Sequence, residues 1–100
     1  MRPILHGDVV ALSRLLLGAR APQRAVLCNR VISEADAADR YFKKFGRSHS
    51  LWGNGSVLSA ARKRPLPPEP DLADAEYCAC MEQVFRALAD WRAGKSRKNV

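Results

Sequence analysis

The stretch PQRAVLCNRVISEADAADRYFKKFG, residues 22–46, decides the class of the fold. Its apolar positions Leu27, Val31, Ala35, Ala38, Phe42 and Phe45 recur at spacings of four and three. Those intervals stack side chains on one face of a helix that turns every roughly 3.6 residues. Pro22 suits a first turn, where its missing N–H costs nothing. Gly46 offers a left-handed stop, and Lys43 and Lys44 place cations in the last turn, where they complement the partial negative charge of a helix C-terminus.

Working outward, the same period returns near the C-terminus. Tyr77, Met81, Val84, Leu88 and Trp91 follow a four-three-four-three spacing, with Phe85 and Cys78 on the shoulder. Asp71 or Asp74 is the expected cap of this helix and Gly94 its expected end. Upstream, Asp8 is the expected N-cap of a helix through Val9, Val10, Leu12, Leu15 and Leu16, stopped in left-handed conformation by Gly18. Ser56 is the expected N-cap of a short helix through Val57, Leu58, Ala60 and Ala61, which Pro65 ends. Residues 47–56 read as a loop around Trp52, because Gly53, Asn54 and Gly55 tolerate positive φ. The run Leu66-Pro67-Pro68-Glu69-Pro70 reads as a stiff extended connector.

No segment keeps the alternation of a strand for more than a few residues. The sequence therefore predicts an all-α, small four-helix domain over residues 1–94. Its two long amphipathic helices pack on each other through Leu27, Val31, Phe42, Phe45, Tyr77, Met81, Val84, Leu88 and Trp91, while the two short helices fill the ends. Residues 95–100 read as a basic flexible tail.

Composition narrows the function. The 100 residues are 47% hydrophobic and 27% charged, as expected of one small globular domain. No apolar run approaches the roughly 20 residues of a membrane span. His6, Asp8 and Arg14 interrupt the N-terminal apolar segment, which argues against a secretory signal and for a cytoplasmic location. Cys28, Cys78 and Cys80 are odd in number, and the last two are too close for an unstrained bridge, so a reducing compartment is expected.

Catalytic and metal-binding sets are weak. Cys78 and Cys80, two apart on a helix, point roughly 200° from each other, and only His6 and His49 remain as imidazole ligands, so no metal is expected. His49, with Ser48, Ser50 and Asn54, lacks the spacing of a nucleophilic site. Gly53 and Gly55 lack the third glycine or the Lys-Ser/Thr of a phosphate-binding loop. Glu34, Asp36 and Asp39 read as a solvated face, with Arg40 and Lys43 as partners four residues on. The chain is therefore expected to be no enzyme, with no cofactor and no evident small-molecule substrate.

Two function classes remain. An interaction module would take a protein partner, or a second copy, through Trp52, Asn54 and Leu66, since aromatic anchors carry much of an interface's energy. For Trp52 itself, exposure and a place plugging the core are both open. The alternative is nucleic-acid binding. The net charge is +7, and Lys43, Lys44 and Arg47 follow one helix while Arg62, Lys63 and Arg64 follow another. If they converge, they offer phosphates an electrostatic footprint, with Lys95, Arg97 and Lys98 as an auxiliary.

The segments Met1–Val9, Glu34–Arg40, Gly46–His49, Trp52–Gly55 and Leu66–Pro70 together resemble a family of small uncharacterised proteins from alphaproteobacteria of the Rhodobacter type. The resemblance covers nearly the whole chain. It implies a bacterial, cytoplasmic, single-domain protein, and it carries no assigned reaction, cofactor or ligand.

Overall fold

The computed structural model describes residues 1–98, with side chains described through Gly94. Four α-helices follow in order: α1 (His6–Leu17), α2 (Arg24–Phe45), α3 (Val57–Ala61) and α4 (Ala75–Lys98), with a 3₁₀ turn, Ala21–Gln23, leading into α2. Among the described residues there is no strand, only one antiparallel bridge between His49 and Gly53. No described helix is long and apolar enough to cross a membrane. The all-α expectation holds.

The packing order differs from the expected one. The helix at the centre is the short α1, which lies most extensively against α4 and α3, whereas α2 and α4 touch each other far less. The reason is visible along α1 itself. Val9, Ala11, Leu12, Ser13, Leu15 and Leu16 are all buried, which covers more of the circumference than one stripe, and a helix apolar over most of its surface belongs inside. Each long helix has a single stripe and gives it to the shorter elements: Tyr77, Cys80 and Val84 from α4, and Cys28, Val31, Ile32, Ala35 and Ala38 from α2, are buried. Leu27, Phe42, Met81, Leu88 and Trp91 are only half-buried, and Phe45 is 52% exposed. Phe45 is thus no core residue: beyond Asp39 the remaining turns of α2 bury no side chain.

Local chemistry sets the ends of the elements. Asp8 is not the N-cap of α1 but its third residue, and Leu5 is the cap. From there the Asp8 Oδ2 accepts the Leu5 N–H at 2.7 Å, the acidic half of a capping box. Its Oδ1 accepts the Leu58 N–H at 2.8 Å and ties α1 to α3. Gly18 is right-handed, φ −76°, so it is no left-handed stop. Its small size matters instead, because a Cβ there would stand 3.3 Å from the Pro67 ring. Gly46 does take the left-handed conformation, φ 71°, and its N–H donates to Phe42 O at 2.7 Å. Ser56 and Asp74 cap α3 and α4 as expected, accepting the Ser59 and Tyr77 N–H groups at 3.0 and 2.9 Å.

Gly94 does not end α4, which continues to Lys98. Glycine inside a helix costs about 1 kcal/mol, which good helix formers on either side offset. The basic tail thus begins on this helix; the side chains of Lys95, Arg97 and Lys98, and residues 99–100, lie outside the described residues.

The elements are joined by a cation the sequence did not single out. Arg24 is buried, and its Nε donates to Leu16 O at 2.7 Å and Ala19 O at 3.1 Å. Its Nη2 donates to Leu17 O at 3.3 Å and Glu76 Oε1 at 2.7 Å. The guanidinium thereby adds donors to carbonyls at and just past the end of α1, of which Leu16 O also accepts the Ala19 N–H, and links α1, α2 and α4. Arg14 does the same for the connector, donating from Nε to Pro67 O at 2.8 Å.

Candidate interaction surface

The surface with the most chemistry lies where the N-terminal segment, the second half of α2 and loop 47–56 meet. The loop is closed by reciprocal bonds between His49 and Gly53, 2.8 and 3.0 Å. The His49 Nδ1 also accepts the N–H groups of Leu51 and Trp52, at 3.0 and 3.2 Å. Asn54 accepts the Ser56 N–H through Oδ1 at 3.0 Å, an Asx turn. Gly53 and Gly55 hold φ of 87° and 103°, and a Cβ on Gly55 would stand 2.7 Å from Cα and Cβ of Asp39. The loop backbone therefore lies directly on α2.

Beneath it sit two buried carboxylates. Asp36 Oδ1 and Asp39 Oδ2 receive the Met1 ammonium at 2.8 and 3.1 Å. Arg40 and Lys43 reach Asp36 and Asp39 from outside, at 3.5 and 3.0 Å. The partners four residues on are as expected, but the acids are no solvated face, since Asp36 and Asp39 are 6% and 3% exposed. Burial pushes the Asp39 carboxyl up, and hydrogen bonds and charge from Lys43 and the Met1 amine outweigh it, leaving its pKa below the ordinary value. Glu34 is held by both Nη atoms of Arg64, at 3.0 and 3.1 Å.

Above the carboxylates runs a row of rings. Trp52 stacks on His49 with centroids 4.6 Å apart and planes 10° from parallel. His49 meets the edge of Tyr41 at 4.9 Å, and Tyr41 meets Phe45 at 4.6 Å. Lys44 lies over the Phe45 ring at 5.4 Å and Arg2 over Phe42 at 5.0 Å. Trp52 is half-buried, one face on His49, so it neither stands free nor plugs the core. Leu51 next to it is 65% exposed. The Tyr41–Phe45 pair is legible from its spacing of four on α2, but the row went unrecognised because the His49–Tyr41 contact that joins it to Trp52 depends on the loop folding back over α2.

On the other side of the loop a trough runs beside the start of α1. One part, about 460 Å³, lies between Arg2, Leu5 and Leu58, and a second, about 240 Å³, continues past Ser59 to Arg62 and Lys63. Asn54, Ser56 and Leu58 line both parts.

The expected site residues are thus only partly gathered. Trp52 and Asn54 share the loop. Leu66 belongs to the connector, half-buried against the core, and the neighbouring Pro67 is held at the opposite end of α1. Of the six cations, Lys43 and Arg64 are engaged by Asp39 and Glu34. Lys44 and Arg47 stand at the aromatic side of the loop, and Arg62 and Lys63 at the trough. Among the described residues no three metal-ligating side chains cluster. Burial pushes the Cys28 thiol up to about 11 and raises that of Cys80, so neither is a thiolate near neutral pH.

A family model described as a domain of unknown function, DUF7742, matches residues 2–88. The chain belongs to this family. The DUF7742 match takes in α1, α2, the loop, α3, the connector and α4 as far as Leu88, so the aromatic row and the trough both lie within it. No curated protein and no solved structure matches the chain.

Proposed function

We propose that this chain is a non-enzymatic interaction domain of a bacterial, cytoplasmic protein, and that it takes a protein partner or a second copy on the aromatic row of loop 47–56. The observation that carries this reading is the continuous row Trp52–His49–Tyr41–Phe45, which has the largely exposed Phe45 at one end and exposed Leu51 next to Trp52 at the other. Rigid aromatic side chains lose little freedom on binding and fill a partner's pockets, so they are the usual anchors of an interface. The bacterial and cytoplasmic part rests on the resemblance to small alphaproteobacterial proteins and on three cysteines that form no disulfide.

The test compares wild type with Phe45→Ala, Trp52→Ala and the distant surface change Arg20→Ala, by quantitative recovery of cell proteins and by light scattering. The expected result is one species retained by wild type and Arg20→Ala and lost by the two ring variants. An anchor worth about 2 kcal/mol weakens binding roughly 30-fold. A monomer that retains the same background as Phe45→Ala would overturn the reading.

One observation favours a second reading, nucleic-acid binding: the rings are interleaved with Lys44 and Arg47, the pairing of stacking faces with phosphate contacts that single-strand binders use. With Lys43 and Arg64 engaged, and Arg62 and Lys63 on the trough side, about two cations remain beside the rings. The logarithm of affinity should then fall with the logarithm of salt at a slope of roughly −1.5 on single strands. A labelled oligonucleotide titrated at two ionic strengths decides it. Absence of binding at low salt removes this reading.

A further inference from the structure

We propose that the trough at the start of α1 seats the exposed part of the connector, residues 68–72, of a second copy, joining chains head to tail. The inference rests on the chain being an interaction domain but not on the aromatic row.

Leu58 lines the whole trough and exposed Leu5 adds apolar surface at its edge; Arg62 and Lys63 stand at one end, and Arg2, whose guanidinium lies over Phe42, at the other. Asp8 is the one carboxylate in its lining, and both oxygens of Asp8 are occupied by the Leu5 and Leu58 N–H groups. Arg62 and Lys63 make no ion pair among the described residues and are exposed. The trough therefore presents positive charge beside apolar surface.

The connector has the complementary chemistry. Glu69 and Asp71 are exposed and make no ion pair among the described residues, and Leu72 is 68% exposed. Pro67, Pro68 and Pro70 hold the backbone extended and bring no N–H groups to desolvate, so little conformational freedom is lost on docking. The segment is also held in place beforehand, by Arg14 on Pro67 O and by the Cys78 thiol donating to Leu72 O at 3.2 Å.

In the structure the chain does not fill its own trough: the connector leaves from the Arg62–Lys63 end, but Arg14 and Gly18 hold Pro67 at the end of α1 away from Leu5, and neither Glu69 nor Asp71 pairs with those cations. The intervening rise is about 20 Å at roughly 1.5 Å per residue. Donor and acceptor surfaces differ, so the contact is heterologous and adds one copy after another.

The experiment titrates the full chain into a fluorescein-labelled peptide of residues 65–73 and follows anisotropy, with sedimentation of the unlabelled chain alongside. Saturable binding is expected with a dissociation constant on the order of 100 µM, typical of a small transient contact. Reversing both cations, Arg62→Glu with Lys63→Glu, should weaken it about tenfold or more, as should Glu69→Lys with Asp71→Lys in the peptide. Combining the reversed trough with the reversed peptide should restore it. Arg62 and Lys63 are exposed and make no ion pair among the described residues, so circular dichroism should show the reversed chain folded. No binding up to about 1 mM, or binding indifferent to both reversals, overturns the proposal. Phe45→Ala should leave the peptide titration unchanged, so failure here and failure of the aromatic-row reading are separate results.

Discussion

Single residues in this protein act through contacts that their type alone does not announce. Gly55 and Gly46 both carry positive φ, yet only Gly55 has Asp39 within 2.7 Å of where a Cβ would stand, while Gly46 has open space. Gly55→Ala should therefore cost on the order of 3 kcal/mol, from backbone strain and a forced shift of loop from helix. Gly46→Ala should cost about 1 kcal/mol, and urea denaturation of the two variants measures the difference. Asp39 acts through charge. Its folded pKa lies below the ordinary value of 3.8, so its contribution is present above that pH and lost as pH falls through the folded value. Thermal unfolding of Asp39→Asn between about pH 5 and pH 2 should show a flatter acid limb than wild type.

At the scale of elements, the short α1 carries more of the fold than its length indicates. Leu12 is fully buried at its centre, whereas Leu88 on α4 is half-buried and Phe45 on α2 largely exposed. Truncation to Ala should follow that order: about 3–5 kcal/mol for Leu12, about 1–2 for Leu88, and under about 1 for Phe45. An inverted order in chemical denaturation would mean that the two long helices, not α1, hold the core. Arg24 belongs at this scale too, because it binds the end of α1 and the start of α4 at once. Arg24→Met should cost on the order of 3 kcal/mol through unfilled carbonyls, despite keeping an apolar stem of similar length.

For the molecule as a whole, thiol accessibility reports how the helices open. Cys28 and Cys80 lie in the core, and Cys78 is exposed on α4. A thiol reagent at neutral pH should modify one cysteine readily and the other two only at the rate of global opening. Early reaction of Cys80, ahead of Cys28 on α2, would show that α4 opens without unfolding the rest. The charge distribution is divided at the same scale. Buried Asp36 and Asp39 hold cations on the aromatic side of the loop, and the trough side keeps Arg62 and Lys63 without acidic partners.

The helices could be read from the chain alone, because periodicity, capping residues and prolines act over a few neighbouring positions. The 22–46 stretch, the Ser56 and Asp74 caps, the Gly46 stop and the stiff connector were all legible there. The sequence marked Trp52 and Asn54 as loop residues. It also misread Gly18 and Gly94, since a glycine near a helix end serves equally as a left-handed stop, a close approach or an ordinary helical residue. The folded packing adds that α1 is central, that Asp36 and Asp39 are buried, and that His49, Tyr41 and Phe45 join Trp52 in one row. Each of these depends on which surfaces meet across tens of residues. An amphipathic stripe demands burial without naming its partner, and a carboxylate four residues from a lysine looks the same whether a loop covers it or water does.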